Sequence, residues 1–177
     1  MTTDFKNAGD LSYVVDRTHG ELGGTRFERV VGRKLGSAPR LHLGEALRCY
    51  RRLACAIRKG FVRSCHDLSD GGLWVALAES AFGGDCGFRV FLDDLPVARD
   101  CLGEPARLLF CETPSRFVAS VTPQAERKWL RVMKGSDCAR IGEVTEDRVL
   151  RVLQAGQEIA SVPLHEARRA WQGEAKT

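Results

Sequence analysis

The chain has 177 residues, of which 44% are hydrophobic and 28% charged. That is somewhat longer than the ~100–150 residues of a common domain, so a single ordinary core is expected, not a disordered chain or a two-domain enzyme. The 27 Lys and Arg against 23 Asp and Glu leave a net charge of +4 with no basic run, which gives nucleic-acid binding no support. No apolar stretch approaches the ~18–20 residues of a membrane span. The opening MTTDFKNAGD lacks the apolar centre of a signal peptide, so a cytoplasmic protein that does not enter membranes is expected.

In chain order, Asp10 to Asp16 is a short β-rich run, and the glycine turn Leu22-Gly23-Gly24-Thr25 precedes a short helix over Arg26 to Val31. Gly32 to Pro39 is a loop. From Leu43 to Lys59 the residues Leu43, Ala46, Leu47, Tyr50, Leu53, Ala54 and Ile57 recur at three and four, an amphipathic helix that Gly60 terminates. Phe61 to His66 is extended, Asp67 to Gly72 turns, and Leu73 to Phe82 is apolar nearly all round, as a buried helix would be, until Gly83-Gly84 stops it. Phe88, Val90 and Leu92 alternate with Arg89, Phe91 and Asp93 as a strand. Arg107 to Cys111 and Arg116 to Val121 then resemble a strand pair around the turn Glu112-Thr-Pro-Ser115. Thr122 as cap and Pro123 at the first position predict a helix with Ala125, Trp129, Val132 and Met133 buried. Strands at Ala139 to Thr145 and Arg148 to Leu153 and a helix at Leu164 to Trp171 complete the chain. Hairpin-like junctions interrupt strict strand-helix alternation, so the expected fold class is α+β, helices packed on a mixed β-sheet. Residues 1–177 are read as one domain, with an N-terminal strand, glycine turn and loop over 1–40 and the main body over 41–177.

The chemistry-bearing candidates are few. The seven cysteines form no C-x-x-C pair, no histidine completes a zinc-finger spacing, and most lie in apolar patterns as structural thiols. Cys65 and His66 are strand neighbours pointing to opposite faces, which excludes a nucleophile–base pair. His66-Asp67-Leu68-Ser69-Asp70-Gly71-Gly72, between a strand and a helix, offers free helix-start amides to phosphate or carboxylate. Three readings stay open there: an anion site, Ser69 or Asp70 as a plain N-cap, or Asp67 and Asp70 holding Mg²⁺ against a phosphate. The Gly23-Gly24-Thr25 turn repeats the same physics more weakly, and an ordinary turn is the plainer reading. Glu112 and Arg116 flank a tight turn and either pair with each other, the plainer reading, or face a ligand, while His19, His42 and His165 stand alone with no role.

Taken together, HDLSDGGLWVALAESAF, GFRVFLDDLP, LLFCETPSRFVASV and IGEVTEDRVL, with DFKNAGDLSYVV, LGGT and PLHEARRAWQG around them, resemble the C-terminal domain of the phosphoribosylformylglycinamidine synthase family, related to that of aminoimidazole ribonucleotide synthetase. The resemblance implies a three-layer α/β/α arrangement and a place in an ATP-dependent ligase of purine biosynthesis. That ligase makes formylglycinamidine ribonucleotide from formylglycinamide ribonucleotide, ATP and glutamine-derived ammonia. The family's catalytic histidines and most of its Mg²⁺ and ATP ligands lie in upstream domains, so this chain alone should not catalyse and no residue of it is read as catalytic. By resemblance, His66, Asp67, Ser69, Asp70, Gly71 and Gly72, with Gly23, Gly24 and Thr25, face a neighbouring domain's ATP or ADP with Mg²⁺. The implied partners are the upstream domains and the glutaminase subunit or domain, and an isolated chain should self-associate through the surface they would cover. Cys111, where a small hydroxyl residue is common, and the bulky Trp74 depart from the family pattern. The alternative is a stand-alone, non-catalytic nucleotide- or partner-binding module of the same fold.

Overall fold

A computed structural model describes residues 1–99, 101 and 103–173. β1 (Leu11–Val15) leads into α1 (Arg26–Val31) and α2 (Leu43–Arg58), then β2 (Ser64–Asp67), α3 (Gly72–Gly84) and β3 (Gly87–Phe91). A single 3-10 turn (Leu92–Asp94) and α4 (Pro105–Phe110) precede β4 (Phe117–Val121), α5 (Glu126–Met133), β5 (Cys138–Thr145), β6 (Val149–Gln154), β7 (Gln157–Pro163) and α6 (Leu164–Trp171). The strands form one sheet in the order β2-β4-β1-β5-β3-β6-β7. All neighbours are antiparallel except β3 and β6, which makes the sheet mixed as expected.

Strand alternation builds the layers. In β1, Leu11, Tyr13 and Val15 pack with Ala119 and Val121 against Cys49, Leu53 and Ala56 of α2 and Trp129 and Met133 of α5. Val14 faces the other way, into the core made by Leu73, Ala76, Leu77 and Ala81 of α3 with Phe88, Val90, Ile141, Leu150 and Val152. α4 and α6 join α3 on that face, completing an α/β/α arrangement. Burying both faces explains why α3 is apolar all round while α2 and α5 carry one buried stripe each. The strand from the N-terminal segment is thus the third of seven, central to both cores.

Four expectations need correction. Arg107 to Cys111 is not a strand. Pro105 stands at the first helical position and Leu108 and Leu109 are both buried, so the run is the end of α4, and periodicity could not separate so short an apolar run from a strand. α5 begins at Glu126 because Thr122 Oγ1 accepts the Ala125 amide at 3.2 Å and closes a separate turn first. α3 runs through Gly83-Gly84 and stops at Asp85, whose φ is 52°. Finally, β7 lies where no strand was expected: Ala155 and Gly156, with φ of 50° and 75°, make a tight hairpin after β6, and the mostly exposed edge strand lacks a clear apolar alternation. No disulfide joins the cysteines among the described residues. Burial between the sheet and helices α2 and α5 drives the thiols of Cys49 and Cys138 up to about 12.

Candidate functional site

β2 and β4 run antiparallel with Asp67 opposite Phe117, and the Leu68 amide continues the ladder to the Arg116 carbonyl at 2.9 Å. The loop leaving β2 and the turn entering β4 therefore lie side by side at one end of the sheet. Between them is a cleft of about 370 Å³ lined by Asp67, Ser69, Asp70, Glu112, Arg116 and Tyr50, among others. Tyr50 reaches it from α2, edge-on to Phe117 with ring centroids 5.8 Å apart.

The glycine loop is closed off by its own chain. Gly71 is the N-cap of α3 at φ 82°, and neither Ser69 nor Asp70 caps the helix with a side chain, so the plain-cap reading is not realised. The Gly72 amide bonds the Ser69 carbonyl at 3.0 Å. The Gly71 amide donates to Glu112 Oε1 at 2.8 Å, and the Arg26 amide donates to the same oxygen at 2.8 Å. A carboxylate of the chain thus stands where a bound anion would receive those amides. Arg26 adds a second tie, its Nε donating to Asp70 Oδ2 at 2.8 Å across an exposed pair.

The two glycine turns, separate in sequence, are brought together by Glu112. In the first, Thr25 is buried and caps α1, its Oγ1 accepting the Glu28 amide at 3.3 Å. The Gly24 amide goes to Glu28 Oε1 at 2.9 Å, and the Leu35 and Gly24 amides together hold the Glu28 carboxyl below its ordinary range. Gly23 lies buried, its amide on the Ser37 carbonyl at 2.9 Å. Gly23, Gly24 and Thr25 therefore brace α1 and the following loop, and do not line the cleft.

His66 is placed elsewhere. Its imidazole packs toward α3, where its Nε2 lies 2.8 Å from Glu79 Oε2, while its Nδ1 lies 3.4 Å from Asp67 Oδ1 without forming a hydrogen bond. Glu112 and Arg116 do not pair. Arg116 is fully buried and gives its guanidinium to Thr18 Oγ1 at 2.9 Å, the Thr113 carbonyl at 3.3 Å and the Cys111 carbonyl. The turn between the two residues explains this: Glu112 points back to the helix-start amides, while Arg116 is already the residue before β4 and turns inward. The sequence gives no sign of Tyr50 in the cleft, because its position on α2 reads as one more apolar site.

Residues 8–154 match the family model for the AIR synthase related protein, C-terminal domain. Among solved structures, phosphoribosylformylglycinamidine synthase II from Thermotoga maritima superposes with a TM-score of 0.76 at 20% identity, over 94% of this chain and 27% of that one. T. maritima PurL complexed with ATP gives 0.72 at 20% identity over 93% and 26%. E. coli HypE, a hydrogenase maturation protein, gives 0.66 at 21% identity over 92% and 51%. The chain thus spans about a quarter of the synthase structures it matches and half of HypE. The family model covers most of the chain and the fold superposes on the solved structures, so this chain belongs to the AIR synthase related C-terminal domain family.

Proposed function

We propose that the chain serves as the last domain of an ATP-dependent phosphoribosylformylglycinamidine synthase, a cytoplasmic ligase of purine biosynthesis. In this reading residues 1–177 act as one domain, forming one wall of a nucleotide-facing cleft and an interdomain surface. The observation that carries it is the cleft's composition. Asp67 and Asp70 are carboxylates with more than half of each side chain exposed, beside a buried Arg116 guanidinium held by neutral oxygens. Hard cations take carboxylate oxygens, so this donor set fits Mg²⁺ accompanying ATP or ADP. The exposed Arg26–Asp70 pair, of a kind that contributes about 0–1 kcal/mol, is no obstacle to it. Bound Mg²⁺ would neutralise phosphate charge between domains. Ser69, Gly71 and Gly72 shape the loop that presents the carboxylates, and Glu112 keeps it closed until a nucleotide arrives. His66 supports the loop from the other face of β2, and Gly23, Gly24 and Thr25 support it through α1.

The likeness to T. maritima PurL complexed with ATP, about a quarter of whose length this chain covers, supports the reading, and the partners it proposes are the upstream domains and a glutaminase subunit or domain. The test is reconstitution. The chain is mixed with the upstream remainder of a synthase, and ATP-dependent amidination is assayed with ammonium as nitrogen source. Activity in the mixture and in neither piece alone is the expected result. Silence in every tube with both pieces folded overturns it in favour of the stand-alone binding module.

A surface for those partners is available on α2. Leu43, Leu47 and Tyr50 recur at four and three on its outer side and are exposed, near the exposed Leu41 that precedes the helix. The isolated chain is expected to self-associate through this stripe, and Leu47→Asp to shift it to monomer without loss of stability. Light scattering over a wide concentration range checks this, and a monomeric unsubstituted chain would sink it.

A further inference from the structure

His19, His42 and Glu45, which the sequence leaves unrelated, meet in space. His42 is the N-cap of α2 and Glu45 lies three residues on, so both side chains leave the same side of the helix start. His19 comes from the loop after β1, its amide 3.4 Å from Thr113 Oγ1. Its imidazole lies flat on that of His42, with ring centroids 3.9 Å apart and planes 5° from parallel. Its Nε2 is 3.9 Å from Glu45 Oε2. One nitrogen of each ring and one oxygen of the carboxylate all lie within 4.8 Å of one another.

Two further observations point to a ligand among them. Glu45 Oε2 is shut off from solvent yet accepts no hydrogen bond, an expensive state for a carboxylate oxygen unless something else fills its lone pairs. The other oxygen, Oε1, lies 4.0 Å from Arg17 Nη1, and Arg17 is itself anchored by Asp137 Oδ1 at 2.9 Å. Arg17 thus balances part of the carboxylate's charge from the side of Oε1, while Oε2 lies toward His19.

We propose that His19, His42 and Glu45 bind a divalent transition-metal ion of the Zn²⁺ class. Two imidazoles and one carboxylate suit Zn²⁺ and its neighbours, whereas Mg²⁺ and Ca²⁺ prefer oxygen alone. A metal lies in the plane of each imidazole that binds it, so the flat stack has to open: the exposed His42 turns about its side-chain bonds until its nitrogen lone pair converges with those of His19 and Glu45 at bonds of about 2.0–2.1 Å in tetrahedral geometry. His42 is exposed, which leaves a fourth position open to water or to a group from outside the chain. The metal would tie the loop after β1 to α2, and through Thr113 to the turn bordering the nucleotide-facing cleft. The proposal does not depend on the ligase reading.

Co²⁺ titration of the full chain, followed by visible absorption and reversed with Zn²⁺, tests it. One equivalent should bind with weak d–d bands and without the intense charge-transfer absorption of cysteine thiolates. His19→Ala, His42→Ala and Glu45→Gln should each weaken binding at least tenfold, with His165→Ala unchanged. If His19→Ala misfolds, His42→Ala decides, because position 42 is exposed and makes no side-chain cap bond. The absence of Co²⁺ binding, binding indifferent to His42→Ala, or a thiolate charge-transfer band would overturn the site.

Discussion

Gly72→Ala is expected to lower the unfolding free energy by about 3 kcal/mol, the combined cost of a left-handed alanine and of overpacking. Gly72 has φ +65°, and a Cβ there would stand 2.5 Å from the Cys111 carbonyl oxygen and 2.8 Å from that of Leu109. Both obstacles are backbone, so the start of α3 or the end of α4 must move. Either movement separates the Gly71 amide from Glu112 and loosens the bridge between the two glycine turns. Gly24→Ala is the matched control: φ there is +75° but a Cβ meets nothing within 4 Å, so only the conformational cost of about 1–2 kcal/mol applies. Urea unfolding of both variants measures the difference. Equal losses would show that the close approach of α3 to α4 does not constrain the loop.

What could be read in advance follows from how local each signal is. α2 announced itself through sixteen residues of one-sided apolar periodicity, and α3 through an apolar run ending in glycines. β1 was legible as a short, mostly apolar β-rich run because helices cover both sides of the sheet there and all five of its residues are buried. α4 and β7 were not legible, since one is a six-residue helix whose apolar run fits either state and the other an edge strand with little buried surface to mark it. The same distinction runs through the site. Asp67, Ser69 and Asp70 were legible because the strand-turn-helix junction is contiguous. Glu112 as acceptor for two distant amides, Tyr50 arriving from α2 and the meeting of His19 with His42 depend on sheet order, which no local pattern encodes. His66 shows the opposite failure. It is contiguous with the loop and touches Asp67, yet its imidazole packs toward Glu79 of α3 and does not line the cleft.

Arg116→Ala is expected to cost about 4 kcal/mol, because three acceptors lose their donors in a place closed to water. The guanidinium reaches Thr18 on the loop after β1, Thr113 in the turn and Cys111 at the end of α4, so one side chain joins three segments that bound the cleft. Arg116→Met keeps most of the stem and removes only the donors and the charge, and is expected to cost about 2–3 kcal/mol, the range for leaving buried acceptors unsatisfied. Arg116→Lys keeps the charge, but a single ammonium cannot span the fork's three directions, so it should recover only part of that loss. Urea unfolding ranks the three. The charge has a separate consequence in the reconstituted synthase. If Arg116 draws the nucleotide phosphates toward the cleft, Arg116→Met raises KM for ATP while Arg116→Lys leaves it near that of the unsubstituted chain. If the residue only holds the turn in place, KM follows stability across the three variants and the sign of the charge makes no difference.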